Sequence, residues 1–470
     1  MTQTQHGSGP THDAARRGGR GTDLRTVPIS FWCFVGALLF NVFAGQSDKI
    51  GLPVPPDRLL FPAAIVLALL DPRVRRTPWR GVYTLMSLFV VVAACSALFA
   101  DTLPRPDSAY ALLDRVLMPF LLFACAPLFL ATALQRLLLV RALTLMGAYL
   151  AVVAIAQTAG ITALVFPSYI AAGATVNAGT ETFRAGGPFL SGEANGMALA
   201  MCGCAAFLVA ALDRAGWRIL GLTVLAICLG ASILTMTRSV WLSVAIGTIL
   251  VLVLERRLWR RLPEILAVAV ALTAVGIAML PGLVDAVSQR GGTSRSLFDR
   301  ANTNAAALRA IADHPVWGVG WGVFAHDGPN WVRQADAYPL TSVDIEIHNV
   351  VLSRVAELGL PAALLYLACL IGGPGAALLA RRGGLGSSDP WHSAVSVIAV
   401  LWIVPSMTSP NPYTFPAFVA FTFTGYLFAR DDMADDQTPQ ALDDRGDTDD
   451  VEGSGSVAAG RTAGSRAAAP

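Results

Sequence analysis

Apolar runs of membrane-spanning length recur along this chain from residue 29 to residue 429, with short polar turns between them. A run of about 20 apolar residues satisfies its backbone polar groups in lipid only as a helix. Spans are read at 29–45, 58–70, 81–100, 111–131, 137–159, 196–213, 217–236, 239–254, 264–282, 348–371, 391–409 and 413–429. That makes about twelve helices on the usual length criterion. The runs 58–70 and 239–254 are short enough to be tilted or partly re-entrant. A content of 54% hydrophobic and 14% charged residues, with mean hydropathy +0.57, belongs to a polytopic membrane protein and not to a soluble enzyme. The expected fold is therefore all-α, a transmembrane helical bundle with a long, partly helical extracytoplasmic loop.

The basic residues orient this bundle. Arginines gather at 73, 75, 76 and 80, at 136 and 141, at 214 and 218, at 256, 257, 260 and 261, and at 381 and 382. Each group falls in an alternate loop, so the positive-inside rule places them in the cytoplasm together with Arg16, Arg17, Arg20 and Arg25. Both termini are then cytoplasmic and the protein sits in the cytoplasmic membrane. The opposite loops, near 46–57, 101–110, 160–195 and 283–347, face outward, the last two being the long ones.

Three regions follow. Residues 1–27 are rich in Gly, Thr and Arg, and 431–470 opens on an acidic run, so both are expected to be disordered. Residues 28–430 form the membrane domain. The first apolar run imitates a signal peptide, but the many spans after it favour an uncleaved first helix. All seven cysteines lie in apolar stretches, which argues against structural disulfides. Cys202 and Cys204 lack partners at zinc spacing, and small-residue helix packing is the favoured reading.

Function is sought in the polar residues that a membrane protein keeps at a cost. Between Ile219 and Leu254 the single charge is Arg238, in the phrase Leu234-Thr235-Met236-Thr237-Arg238-Ser239. Those 36 or so residues exceed one span, so Arg238 belongs at an outward turn between two helices. Such an arginine either snorkels to headgroups or serves a polar site with Thr235, Thr237 and Ser239. Arg184 stands in a second patch, Arg184-Ala185-Gly186-Gly187-Pro188-Phe189-Leu190-Ser191-Gly192-Glu193-Ala194-Asn195, just ahead of a helix. Its glycines allow close approach of a ligand, Asn195 or Glu193 can cap the helix, and a helix start offers N–H groups to an anion. An ordinary loop with an N-cap explains the patch equally well.

The long polar stretch from Pro281 to Asn349 is the main candidate for chemistry, since a loop of that length in a membrane protein is functional or disordered. From Ser296 to Ala312, Leu297, Ala301, Ala305, Leu308 and Ile311 recur at helical spacing before Pro315, which predicts an amphipathic helix resting on the membrane surface or on other helices. Arg290, Arg295, Arg300 and Arg309 give its surroundings a positive face that can attract phosphate-bearing lipid. The run Trp317-Gly318-Val319-Gly320-Trp321-Gly322 does not sit in a βαβ unit, so a nucleotide-binding turn is rejected. A tight turn is expected, with Trp317, Trp321 and Trp331 at the interface or against sugar.

His348 is the candidate catalytic base. An imidazole near its ordinary pKa takes a proton from a hydroxyl at physiological pH, and Asp344 and Glu346 are close enough in sequence to orient it. A metal site made of Asp344, Glu346 and His348 is a weaker alternative, and a helix-capping histidine is the structural one.

These pieces, in this order, resemble the O-antigen ligase and Wzy-type polymerase superfamily over about residues 180–365. The resemblance rests on the Arg184–Asn195 patch, the Thr-x-Thr-Arg-Ser turn at Arg238, the run from Asp313 to Phe324, and His348-Asn349-Val350-Val351-Leu352 through Pro361. It implies a membrane glycosyltransferase that works at the outer face on a polyprenyl-pyrophosphate-linked glycan donor, with a glycan or lipid acceptor, in cell-surface polysaccharide assembly. It implies pyrophosphate binding by Arg184, Arg238 and a third arginine, for which Arg290, Arg295 and Arg300 are candidates and Arg300 is taken. His348 then assists the acceptor hydroxyl, with Asn195, Asn349 and Glu346 in support, and no cofactor, metal or nucleic acid is involved. Where relatives often read Asn-Pro-Asn, this chain has Gly192-Glu193-Ala194-Asn195. A flippase or exporter of lipid-linked glycan is the alternative from another class.

Overall fold

The computed structural model describes residues 24–72, 78–177, 184–255, 259–260, 263, 295–327, 331, 346–380, 389–409 and 413–435. Among them every regular element is a helix. Helix α1 (Ile29–Phe40) runs on as a tighter turn, Asn41–Gln46, and α2 is Asp57–Leu70. Then come α3 (Gly81–Phe99), α4 (Pro106–Leu112) and α5 (Met118–Phe129), with a π turn at Leu113–Leu117 between the last two. Next are α6 (Ala133–Thr158), α7 (Ser168–Asn177), α8 (Gly192–Leu212), α9 (Ala215–Ile233) and α10 (Arg238–Leu254). After these follow α11 (Arg295–Asp313), the short α12 (Val323–Asp327) and α13 (Val350–Leu370). A π turn, Ile371–Gly375, leads into α14 (Ala376–Leu379), and α15 (Pro390–Ser406) and α16 (Thr414–Asp435) complete the order.

Seven of these stretches are long and apolar enough to cross a membrane, and α10 and α15 are shorter apolar helices. The chain is a multi-pass helical membrane protein, as its apolar runs predict. Each expected span has its helix except 264–282, which lies outside the described residues, as do most of 1–27 and 436–470. Helix starts follow local chemistry. Thr132 and Gln135 form a reciprocal capping box on α6, and Asp389 accepts from the Trp391 N–H at 3.1 Å, with Pro390 at the first helical position of α15.

Lipid tails are as apolar as the side chains, so close packing and not the hydrophobic effect binds helix to helix. A Cβ on Gly147 of α6 would lie 2.8 Å from Cys202 Cβ and 3.1 Å from Cys228 Sγ. The free thiols Cys202 and Cys228 thus act as small packing residues where α6, α8 and α9 meet. Elsewhere aromatic rings fill the core, Phe89 and Phe120 against Tyr366 and Trp402 against Phe421.

Arginines of the expected cytoplasmic turns meet one another's helices. Arg141 holds Asp213 at 2.6 and 2.8 Å, and hydrogen bonding to Arg141 keeps the Asp213 carboxyl below its usual range. Arg136 lies over the Tyr426 ring and Arg80 over that of Phe428.

The glycine-rich turn solves a backbone problem in α13. Gly359 has φ 80°, which breaks the helix and releases carbonyls inside the protein. The turn supplies their donors, with Val319 N–H to Ala356 O and Gly320 N–H to Glu357 O, both at 2.9 Å. Leu360 N–H reaches back to Pro315 O at 2.9 Å. Such contact needs bare backbone: a Cβ on Gly359 would lie 2.0 Å from Val316 O.

Two expectations about this region are corrected. Trp321 neither meets sugar nor sits at the interface: it is 1% exposed, donates from Nε1 to Ser108 O at 3.0 Å, and lies under the Arg354 guanidinium. Trp317 is 84% exposed. Helix α11 exists as predicted, but its buried face is Asn302, Thr303, Ala306, Ala307 and Ala310, whereas Leu308 is exposed. Small side chains let α11 lie close against Phe324, Ile347 and Ala356, and closeness outweighs the larger apolar stripe.

Candidate active site

The Arg184 and Arg238 patches, separate in sequence, fold into one corner. Ala185 N–H donates to Leu234 O at 3.1 Å, and a Cβ on Gly192 would lie 2.5 Å from Thr235 O and 3.5 Å from Arg184 Cβ. The Gly-rich sequence before α8 is therefore what allows the turn between α9 and α10 to press against it. In that turn Met236 takes φ 50°, and Thr235, Thr237 and Ser239 are buried. Arg238 opens α10, with Thr237 as the residue before it.

Asn195 is fully buried in the first turn of α8 and donates from Nδ2 to Ala185 O at 2.8 Å. It locks the loop that carries Arg184 and does not cap α8, contrary to one sequence reading. The cap is Ser191, whose Oγ accepts from Ala194 N–H at 3.4 Å. Glu193 does not cap the helix either, because its carboxylate accepts from Ser239 at 3.0 Å and from Ser409 at 2.7 Å.

Arg300 of α11 is influenced by the charges of this corner. Burial holds its guanidinium below the usual arginine value, the positive charges of Arg238 and Arg184 act in the same direction, and Glu193 opposes them. Arg184, Arg238 and Glu193 are thus among the charges that act on Arg300. Arg290 lies outside the described residues.

His348 lies in the turn ahead of α13, half-buried, between buried Ile347 and the cap residue Asn349. Asn349 Oδ1 accepts from Leu352 N–H at 3.0 Å, so the helix start is capped by Asn349 and not by the imidazole. Ile347 packs on Ala306, Ala307 and Ala310 of α11, which seats the His348 turn against the helix that carries Arg300. Glu346 pairs with Arg115 at 2.9 Å. Asp344, the remaining member of the metal alternative, is outside the described residues.

Sequence reasoning passed over the connection between α15 and α16. Its Met407 carbonyl accepts from Asn349 Nδ2 at 3.4 Å, Ser409 donates to Glu193, and Tyr413 accepts from Ser191 at 2.8 Å. Tyr413 also feels Glu193, Glu346 and Arg184, and burial above all pushes its hydroxyl up to about 12. This connection therefore clasps the His348 turn to the arginine corner. Arg115 was missed for a similar reason, lying beside Asp114 on a π turn inside an apolar run. Such turns recur at functional sites.

Guanidinium groups beside a helix start bind phosphate oxygens, and an imidazole can manage a proton. No curated protein matches the chain. The family model described as O-antigen ligase matches residues 223–367. That stretch holds Arg238, Arg300, Glu346, His348 and Asn349, and leaves Arg184, Asn195 and Tyr413 outside it. Over residues 223–367 the chain is therefore similar to the O-antigen ligase family, the superfamily that its motifs resemble.

Proposed function

We propose that this protein transfers or polymerises a polyprenyl-diphosphate-linked glycan onto an acceptor hydroxyl at the outer face of the cytoplasmic membrane. The reading is supported by the electrostatic influence of Arg184 and Arg238 on Arg300, whose helix packs against the residue before His348. In the proposed step, His348 takes the proton of the acceptor hydroxyl as its oxygen bonds to the anomeric carbon. The bond from that carbon to the diphosphate oxygen breaks, and its electron pair leaves with the polyprenyl diphosphate. The three guanidiniums bind the diphosphate and stabilise the charge gathering on its bridging oxygen. The start of α10 adds its dipole to the same effect. Glu346, tied to Arg115, and Asn349, tied to Leu352 N–H and Met407 O, hold the His348 turn. Asn195 holds the Arg184 loop.

Arg80, Arg136 and Arg141 lie along the helices at the far end from this corner, which supports an outward site and cytoplasmic termini. The donor, an acceptor glycan or lipid and the surrounding membrane lipids are the expected partners, with polysaccharide assembly proteins nearby.

The test is a strain whose only copy carries His348→Ala, with membrane abundance matched to wild type. Lipid-linked precursor accumulating on the outer face with loss of surface polymer is the expected result. Precursor trapped on the inner face points instead to a flippase or exporter, and an unchanged glycan profile removes His348 from the chemistry.

A further inference from the structure

Two neighbouring residues open α2, and their side chains serve different parts of the molecule. Asp57, 1% exposed, accepts from Asn41 Nδ2 at 2.8 Å, and Asn41 Oδ1 accepts in turn from the Thr414 hydroxyl at 2.8 Å. Thr414 begins α16 directly after Tyr413, whose hydroxyl takes the hydrogen bond of Ser191 at the end of the Arg184 loop. Arg58 grips both carboxylate oxygens of Asp114 with its two terminal nitrogens. Asp114 shares its π turn with Arg115, which pairs with Glu346 two residues before His348. Hydrogen bonds and single peptide links thus run from one helical turn to both halves of the candidate site.

That turn is stiff. Pro55 and Pro56 precede it with φ held by their rings, and their carbonyls accept from Arg58 N–H at 3.0 Å and Leu60 N–H at 2.9 Å. An acid at a helix start interacts well with the dipole even when exposed, which does not account for sealing Asp57 against an Asn41 that is itself 2% exposed. Burying such a polar chain costs desolvation that an apolar pair avoids. The Arg58–Asp114 pair is likewise drawn inward, with side chains 22% and 13% accessible. What both arrangements supply is a fixed distance between α2 and the segments that carry the site.

We propose that Asp57 and Arg58 are positioning residues, and that the first turn of α2 is the common anchor that sets the Arg184 loop and the His348 turn at the spacing transfer needs. This inference rests on the donor and base roles proposed above. Neither side chain touches donor or acceptor. Asp57 acts through Asn41, Thr414 and Tyr413 on the Arg184 loop, and so on donor binding. Arg58 acts through Asp114, Arg115 and Glu346 on the His348 turn, and so on the rate once donor is bound.

The experiment uses the full chain, with every value normalised to folded protein. Binding of a polyprenyl diphosphate is measured in lipid nanodiscs. Transfer is measured in proteoliposomes fused with membranes of a strain lacking the protein, which supply saturating lipid-linked glycan and acceptor. Asp57→Leu is expected to raise the dissociation constant about fivefold, the equivalent of one hydrogen bond, and Asp57→Asn, which still accepts from Asn41, to recover most of the binding. Arg58→Gln is expected to lower the transfer rate by on the order of tenfold with the dissociation constant unchanged, and Arg58→Lys to restore part of the rate. Arg58→Gln with Glu346→Ala should be no slower than the slower single variant, since both cut one line of support. Should Asp57→Leu or Arg58→Gln fail to fold, Thr414→Val and Asp114→Asn, which cut the same two lines more gently, are read in their place. Wild-type binding and transfer per folded molecule, additive losses in the Arg58 and Glu346 pair, or the same loss in both readouts whichever residue is changed, overturn the inference. Controls separate this from failure of the underlying reading. If Arg184→Ala and Arg238→Ala bind the probe as wild type does, the donor site itself is wrong, and if His348→Ala transfers as wild type does, the base is wrong. If those three are impaired while the α2 variants match wild type, the role of α2 alone is wrong.

Discussion

Arg115 and Glu346 form an ion pair at 2.9 Å that ties the π turn ahead of α5 to the residue two places before His348. The pair is partly exposed, with side chains 26% and 35% accessible, so its contribution to folding is small, about 0–1 kcal/mol. Its contribution to activity is expected to be larger, because it restrains the turn on which the imidazole stands. Arg115→Ala and Glu346→Ala should each lower transfer about tenfold with little change in melting temperature, since misplacing a reacting group costs rate steeply. The double variant should be no worse than either single one. Additive losses in that cycle would show that the two side chains act separately.

Tyr413 offers a second test. Its hydroxyl receives the Ser191 hydrogen bond and joins the Arg184 loop to the clasp between α15 and α16. Tyr413→Phe keeps the ring and loses that bond, a change worth about 1 kcal/mol in stability, and should reduce donor binding by a similar factor. Burial raises the hydroxyl to about 12, so the folded protein holds this proton more tightly than the unfolded chain. The stabilisation is complete below the ordinary tyrosine value near 10 and is lost as pH climbs from there toward 12. The gap in melting temperature between pH 8 and pH 11 should be wider for wild type than for Tyr413→Phe, and equal gaps would contradict the assignment.

The kink of α13 predicts a folding defect. Gly359→Ala places a methyl group 2.0 Å from Val316 O, at a φ that side chains rarely adopt. The strain alone costs about 1–3 kcal/mol, and the clash adds to it. Membrane abundance should fall sharply, whereas Gly216→Ala, with open space around its Cβ, should accumulate as wild type.

Beneath that kink, Arg354 and Glu357 are buried 3.6 Å apart, with Glu357 also accepting from Gly322 N–H at 3.2 Å and Arg354 stacked over Trp321. Removing one charge strands the other, at a cost of about 3–5 kcal/mol. Arg354→Met should therefore lower thermal stability strongly, and Arg354→Met with Glu357→Gln should recover much of it. A double variant as unstable as the single one would argue against the pair.

The fold was legible because period, length and the positions of arginines are properties of single segments. Helices α3, α6, α8 and α9 begin and end within a few residues of the apolar runs that announce them. The corner formed by Arg184 and Arg238 was legible as two polar islands, though their meeting through Ala185 and Leu234 is a tertiary fact that no spacing encodes. Glu193 was misread as a cap because Ser191 and Glu193 both stand at a helix start, and the serine partners that decide between them lie 46 and 216 residues away. Trp321 was misread because an aromatic residue among glycines looks exposed until Ser108 and Arg354 are seen around it. Tyr413 and Ser409 gave no signal beyond a polar break between two spans.

The most direct test of the central claim is donor-dependent transfer by the full chain in proteoliposomes, measured for Arg184→Ala, Arg238→Ala and Arg300→Ala beside the matching lysine variants. If the three guanidiniums cradle one diphosphate, each alanine variant should lose transfer by on the order of a hundredfold or more, with lysine restoring part of it as a point charge. Wild-type transfer by Arg300→Ala, with Arg184→Ala and Arg238→Ala impaired, would remove the third arginine, and wild-type transfer by all three would contradict the account.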